Sequence, residues 1–187
     1  MTSDADVEDV WIEVLPVALK GASAKRKNEW IQGRIAVQRA FAKAGVNVGP
    51  QAFHEGDPQI IASLPGWSFS LSHTSEWAFA WVTNEHVSIG VDIEDVSRAI
   101  SSGVEKKFRR DDDRSDLDAI HLWSLKEAAF KSVPRDRQKD LVVSSLVIGS
   151  DTFSCVDRDV RGHWRQETTG DLVRSFAWLD AMALSRK

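Results

Sequence analysis

A chain of 187 residues, 42% hydrophobic and 28% charged, has room for one domain or two small lobes, and its apolar content excludes a disordered chain. Its formal net charge of −4 excludes a nucleic-acid binder that runs on bulk electrostatics. Cys155 is the single cysteine, which excludes an intrachain disulfide and a paired-cysteine metal knuckle. The acidic Met1–Asp9 has no apolar core and is not read as a signal peptide. The longest apolar run, Trp77–Val82, is far short of the roughly 20 residues of a spanning helix. No membrane contact and a cytoplasmic location are the expectations. Charge is uneven: Ala44–Ser97 has no lysine or arginine, while cations crowd at Lys25–Lys27 and Lys106–Arg110.

In chain order, alternation over Val10–Leu15 predicts a strand limited by Pro16. Ser23 caps a predicted helix running to about Ala44, with Gly45 as its stop. On it Trp30, Gly33, Val37, Phe41 and Ala44 form one apolar stripe, with Gly33 explained by close packing. Val46–Pro65, rich in Gly and Pro, reads as turns. Three strands, Trp67–Ser72, Trp77–Thr83 and Val87–Ile93, are separated by short polar breaks and predict an antiparallel meander. A charged loop follows from Ser97 to about Ser115, then a helix from about Asp116 to Val133, closed by Pro134. Leu141–Ile148, Phe153–Val156, His163–Glu167 and Val173–Leu179 read as closing strands. The order, a helix followed by antiparallel strands in each half, predicts an α+β fold.

Three short segments carry chemistry. In Gly90-Val91-Asp92-Ile93-Glu94, residues two apart on a strand share a face, so Asp92 and Glu94 stand side by side. Paired carboxylates repel unless a cation neutralises them, and oxygen ligands suit magnesium; the plainer reading is two solvated acids. In Trp123-Ser124-Leu125-Lys126-Glu127-Ala128-Ala129-Phe130-Lys131, Glu127 and Lys131 share a helix face. Such a pair is commonplace on a surface, but beside Trp123, Ala128 and Phe130 it sits on a largely buried helix and calls for a metal or phosphate partner. Ser72 and His73 begin a turn after a strand, where a hydroxyl and an imidazole can meet a phosphate or simply cap the turn. No Gly-x-Ser-x-Gly elbow surrounds them, so a hydrolase triad is rejected. The aspartates of Arg109–Asp118 lack the glycine and glutamate of a calcium loop and read as a solvated charged loop.

Taken in order and spacing, these three segments resemble the signature of the phosphopantetheinyl transferases. Arg26-Lys27-Asn28-Glu29-Trp30-Ile31-Gln32-Gly33-Arg34-Ile35-Ala36 resembles a segment of the siderophore-synthase branch, and His121-Leu122-Trp123-Ser124 is similar to the surfactin type. The resemblance runs from about residue 25 to 131. It implies a monomer of two similar α+β lobes related by a pseudo-two-fold, with 1–87 binding the adenosine and 3′-phosphate of coenzyme A and 88–187 carrying the magnesium ligands and catalytic helix. It implies transfer of the phosphopantetheine arm of coenzyme A to a serine of an apo acyl or peptidyl carrier protein, releasing adenosine 3′,5′-bisphosphate. The carrier would belong to fatty-acid, polyketide or nonribosomal peptide synthesis, with secondary metabolism suggested by the branch.

Residue by residue, the resemblance implies that Asp92, Glu94 and Glu127 hold magnesium and that Lys131 touches the diphosphate. Asp92, Glu127 and Lys131 are then the catalytic set. Arg26, Arg34, Ser72, His73, Lys126 and Lys131 bind the coenzyme, and Arg109 and Arg110 are expected to steer an acidic carrier. Asp57 before Pro58 departs from the family, which places a basic residue there; the departure implies either weaker coenzyme A binding or Lys25–Lys27 in place of the missing charge. Two alternatives are a magnesium-dependent phosphodiesterase, for which no second metal site is evident, and a non-catalytic carrier-binding module of the same fold.

Overall fold

A computed structural model of the protein describes residues 21–49, 52, 64–85, 87–155 and 157–179. The strand expected at 10–15, the Asp57–Pro58 departure and most of the turn-rich 46–65 stretch lie outside those residues. The chain divides after Glu85 into two compact units. Both combine helix with antiparallel sheet, as the α+β expectation requires.

The N-terminal unit is built on α1, Ala24–Lys43. The Ser23 hydroxyl accepts the Arg26 N–H and caps it, and Gly45 follows the C-cap with φ of 79°, a left-handed angle that glycine adopts without strain. β1 (Ser68–His73) and β2 (Ala78–Thr83) pair antiparallel beside it. The Thr74 hydroxyl accepts the Glu76 and Trp77 N–H groups and tightens the hairpin between them. Val37 and Phe41 are fully buried, with Ile31, Ile35 and Phe69 nearly so, a wider stripe than the sequence predicts. Burial of each such side chain contributes about 1.5–3 kcal/mol. A Cβ at Gly33 would stand 3.2 Å from Leu71 Cδ1, so close packing does explain that glycine.

The C-terminal unit is a five-stranded antiparallel sheet in the order β3-β7-β6-β5-β4. Its strands are β3 (Ile89–Asp95), β4 (Leu146–Ile148), β5 (Thr152–Cys155), β6 (Arg158–Thr169) and β7 (Leu172–Leu179). Two helices precede β4: α2, Ser102–Phe108, and α3, Ala119–Ser132. α3 packs along β3 and β7, and Leu122, Leu125, Ala128 and Ala129 join Leu146, Ile148, Phe153, Ala177 and Leu179 in one core.

Three sequence expectations change. The meander does not continue into β3, which pairs instead with β7. β1 and β2 have the Thr74 hairpin to join them, whereas the break between units falls in the polar link before β3. The charged loop after residue 97 contains α2, whose N-cap Ser101 accepts the Val104 N–H. Residues 143–145 form a 3-10 turn, so β4 begins only at Leu146. Among the described residues no helix is long and apolar enough to cross a membrane.

Candidate functional site

Helix α3 lies directly on strand β3 because Gly90 has no side chain. A Cβ there would stand 2.0 Å from the Ala128 carbonyl oxygen and 2.5 Å from the Ser132 nitrogen, both backbone atoms. Gly90, Asp92 and Glu94 alternate onto that face, opposite Ala177, Ser175 and Val173 of β7. The close approach brings the Lys131 ammonium within 2.7 Å of Asp92 Oδ1, while Asp92 is only 4% exposed. Glu94 is paired with Arg98, a partner the sequence reading missed although it lies four residues on.

Glu127 completes the cluster from the turn of α3 before Lys131. Burial pushes its carboxyl up from the ordinary value; Lys131 pulls it down, Asp92 and Glu94 push it up again, and Arg98 opposes them. Glu127 thus senses all four groups, and three carboxylates face two cations in one neighbourhood. The carboxylates do not close around a point: among the described residues no three His, Cys, Asp or Glu side chains form a group able to hold a metal ion. As donors, all three offer the carboxylate oxygens that magnesium takes, and the excess of one negative charge over Lys131 and Arg98 favours a further cation.

The N-terminal unit holds a second candidate site. A cleft of about 170 Å³ is lined by Arg26, Glu29, Trp30, Arg34, Leu71 and His73. Arg34 is 9% exposed, and its Nε is buried with no hydrogen-bond partner among the described residues. Its guanidinium lies 5.0 Å from the Trp30 ring centroid and 6.0 Å from that of Phe69. Burial pulls its pKa down to about 10. A buried guanidinium with an unused donor calls for an anion. The i to i+4 spacing of Trp30 and Arg34 was the available sequence signal for this stack.

Two residues expected to contact the coenzyme have other surroundings than the sequence suggests. Ser72 is not at a turn beside His73 but within β1, where neighbours point to opposite faces; it is 7% exposed and does not line the cleft that Leu71 and His73 line. Lys126 is fully buried, and its Nζ donates to the Phe108 carbonyl at 2.7 Å and the Leu146 carbonyl at 2.6 Å and pairs with Asp113 Oδ2 at 2.7 Å. Burial pulls its pKa down and Asp113 pulls it back up. With all three ammonium protons engaged inside the unit, Lys126 has no face for a coenzyme.

The Arg109–Asp118 loop is likewise not uniformly solvated. Asp113 is buried, accepting the Arg110 and Ile148 N–H groups, and Asp118 caps α3. Arg109 is engaged by Glu105 at 2.6 Å and Arg110 by Asp112 at 3.2 Å, which neutralises the charges expected to steer a carrier.

Residues 15–83 match the family model of the 4′-phosphopantetheinyl transferase N-terminal domain. The chain is 29% identical over 82 residues to 4′-phosphopantetheinyl transferase psf-1 of Bacillus pumilus, covering 38% of this chain and 34% of that one. It is 39% identical over 79 residues to the holo-[acyl-carrier-protein] synthase of Bacillus subtilis (strain 168), covering 35% of this chain and 65% of that one. It therefore spans about a third and just under two thirds of these relatives' lengths. Over these parts of its length the chain is similar to phosphopantetheinyl transferases.

Proposed function

We propose that the protein transfers the phosphopantetheine arm of coenzyme A to a serine of an apo acyl or peptidyl carrier protein. The observation that carries this reading is the gathering of Asp92, Glu94, Glu127 and Lys131 where α3 meets β3. The serine oxygen attacks the phosphorus next to the pantetheine arm. A Ser O–P bond forms, the bridging P–O bond breaks, and adenosine 3′,5′-bisphosphate leaves. Lys131 neutralises charge on the diphosphate as it develops. Glu127, raised by burial, is the better base for it and takes the serine proton. Asp92 and Glu94, with Glu127, would be the residues to hold magnesium, which would supply further neutralisation of the diphosphate.

Arg34, with Arg26 and His73, receives the 3′-phosphate and adenosine in the cleft they line. The exposed Lys106, Lys107 and Val104 of α2, rather than Arg109 and Arg110, meet the acidic carrier. A cytoplasmic monomer of two related lobes, divided near residue 87 and working in secondary metabolism, completes the reading. Chromatography of the nucleotide product tests it. Release of adenosine 3′,5′-bisphosphate only when an apo carrier is present supports transfer; equal release without a carrier would instead mark a phosphodiesterase.

A further inference from the structure

Four segments of the C-terminal unit converge on one buried ammonium. Lys126 comes from α3, the Phe108 carbonyl from the end of α2, Asp113 from the loop that follows, and the Leu146 carbonyl from the start of β4. Asp113 is itself fixed: Oδ2 accepts the Arg110 N–H at 2.7 Å and Oδ1 the Ile148 N–H at 2.9 Å. Both side chains are 0% exposed. A buried ion pair of this kind is often no more stabilising than apolar side chains of similar volume, so stability alone is a weak account of it. What a fully bonded pair supplies is geometry, because its partners and their directions are fixed.

The geometry bears on Glu127 and Lys131. The Gly90 contact sets how near α3 comes to β3, while rotation about the helix axis is held by side chains: Leu122, Leu125 and Ala129 in the core, the Ser124–Ser175 hydrogen bond and, at the Lys126 end, the buried ammonium. Lys126 and Glu127 are adjacent, about 100° apart around the helix. Any rotation that carried Lys126 off its three acceptors would swing Glu127 and Lys131 through the same angle, away from Asp92 and Glu94. We propose that the buried Asp113–Lys126 pair is a positioning device that fixes the rotation of α3 and so holds Glu127 and Lys131 against the carboxylates of β3.

The catalytic consequence rests on the transferase reading; the structural one does not. The test is the double substitution Lys126→Met with Asp113→Leu, which replaces the pair by apolar side chains. It should still unfold cooperatively, at a lower temperature because the Phe108 and Leu146 carbonyls and the Arg110 and Ile148 N–H groups lose their partners, while turnover falls by about tenfold to hundredfold and the KM for coenzyme A changes much less, since the Arg34 cleft is untouched. A crystal structure of the variant should show α3 rotated and Lys131 out of hydrogen-bond reach of Asp92. Wild-type turnover, or an α3 that has not rotated, overturns the proposal. If the double variant does not fold, Asp113→Asn, which keeps the shape and removes the charge, is judged by turnover and by the orientation of α3, whatever its melting temperature. If the wild-type protein transfers no arm, the transferase reading fails, and the orientation of α3 in the variant crystal still decides the positioning claim.

Discussion

The Lys131 ammonium stands 2.7 Å from Asp92 Oδ1 and ties the last turn of α3 to the middle of β3. The bond is charge-assisted and partly shielded from water, since the two side chains are 27% and 6% exposed. Lys131→Met should cost about 1.5–3 kcal/mol in urea unfolding. Asp92→Asn in the same background should cost less than it does alone, giving a coupling energy of about 0.5–3 kcal/mol. Strict additivity would mean that the two groups do not interact in solution.

Gly90→Ala is expected to be the most damaging single-methyl change in the C-terminal unit. Its Cβ would meet the Ala128 oxygen and the Ser132 nitrogen, and neither backbone atom can turn aside. Overpacking of this kind costs about 1–3 kcal/mol, which corresponds to about 2–4 °C of melting temperature per kcal/mol at this size. Calorimetry reads the shift, and a melting temperature unchanged by the substitution would contradict the contact.

Arg34→Met should separate affinity from turnover. Losing a charge-assisted bond worth about 1.5–3 kcal/mol raises the KM for coenzyme A by about 10- to 100-fold with kcat little changed. The same substitution should matter much less with 3′-dephospho-coenzyme A, which lacks the anion. Equal effects on both coenzymes would remove the 3′-phosphate from this cleft.

Glu127 gives a pH test with a definite sign. Its folded pKa is raised above the ordinary 4.5, chiefly by burial, so the ionised form is disfavoured by folding. The resulting penalty is absent below the unfolded pKa and complete above the folded one. In EDTA, Glu127→Gln should therefore be more stable than wild type at neutral pH, with the gain fading on acidification towards pH 4.5, while transfer is abolished. A variant less stable than wild type at neutral pH would contradict the burial.

Much of this was legible in the sequence, because the signals were local. Ser23 and Gly45 bound α1 by capping and turn chemistry, and Asp92 with Glu94, like Glu127 with Lys131, follow from strand and helix periodicity alone. What was not legible depends on distant pairing. β3 looks like the third strand of a hairpin series, and only its register with β7, some eighty residues on, assigns it elsewhere. Lys126 reads as a surface cation until Phe108, Asp113 and Leu146 are brought around it. Ser72 differs from expectation for a smaller reason: β1 runs one residue further, to His73, so Ser72 and His73 alternate onto opposite faces instead of opening a turn together.

The central claim, arm transfer by the carboxylate cluster on β3 and α3, is tested most directly by intact-protein mass spectrometry of an apo peptidyl carrier protein. The carrier is incubated with the chain, coenzyme A and magnesium. The predicted result is a gain of one phosphopantetheine arm that is lost with EDTA and with Asp92→Ala. No gain on carriers of fatty-acid, polyketide and nonribosomal peptide origin, with folded protein and saturating coenzyme A, would contradict it.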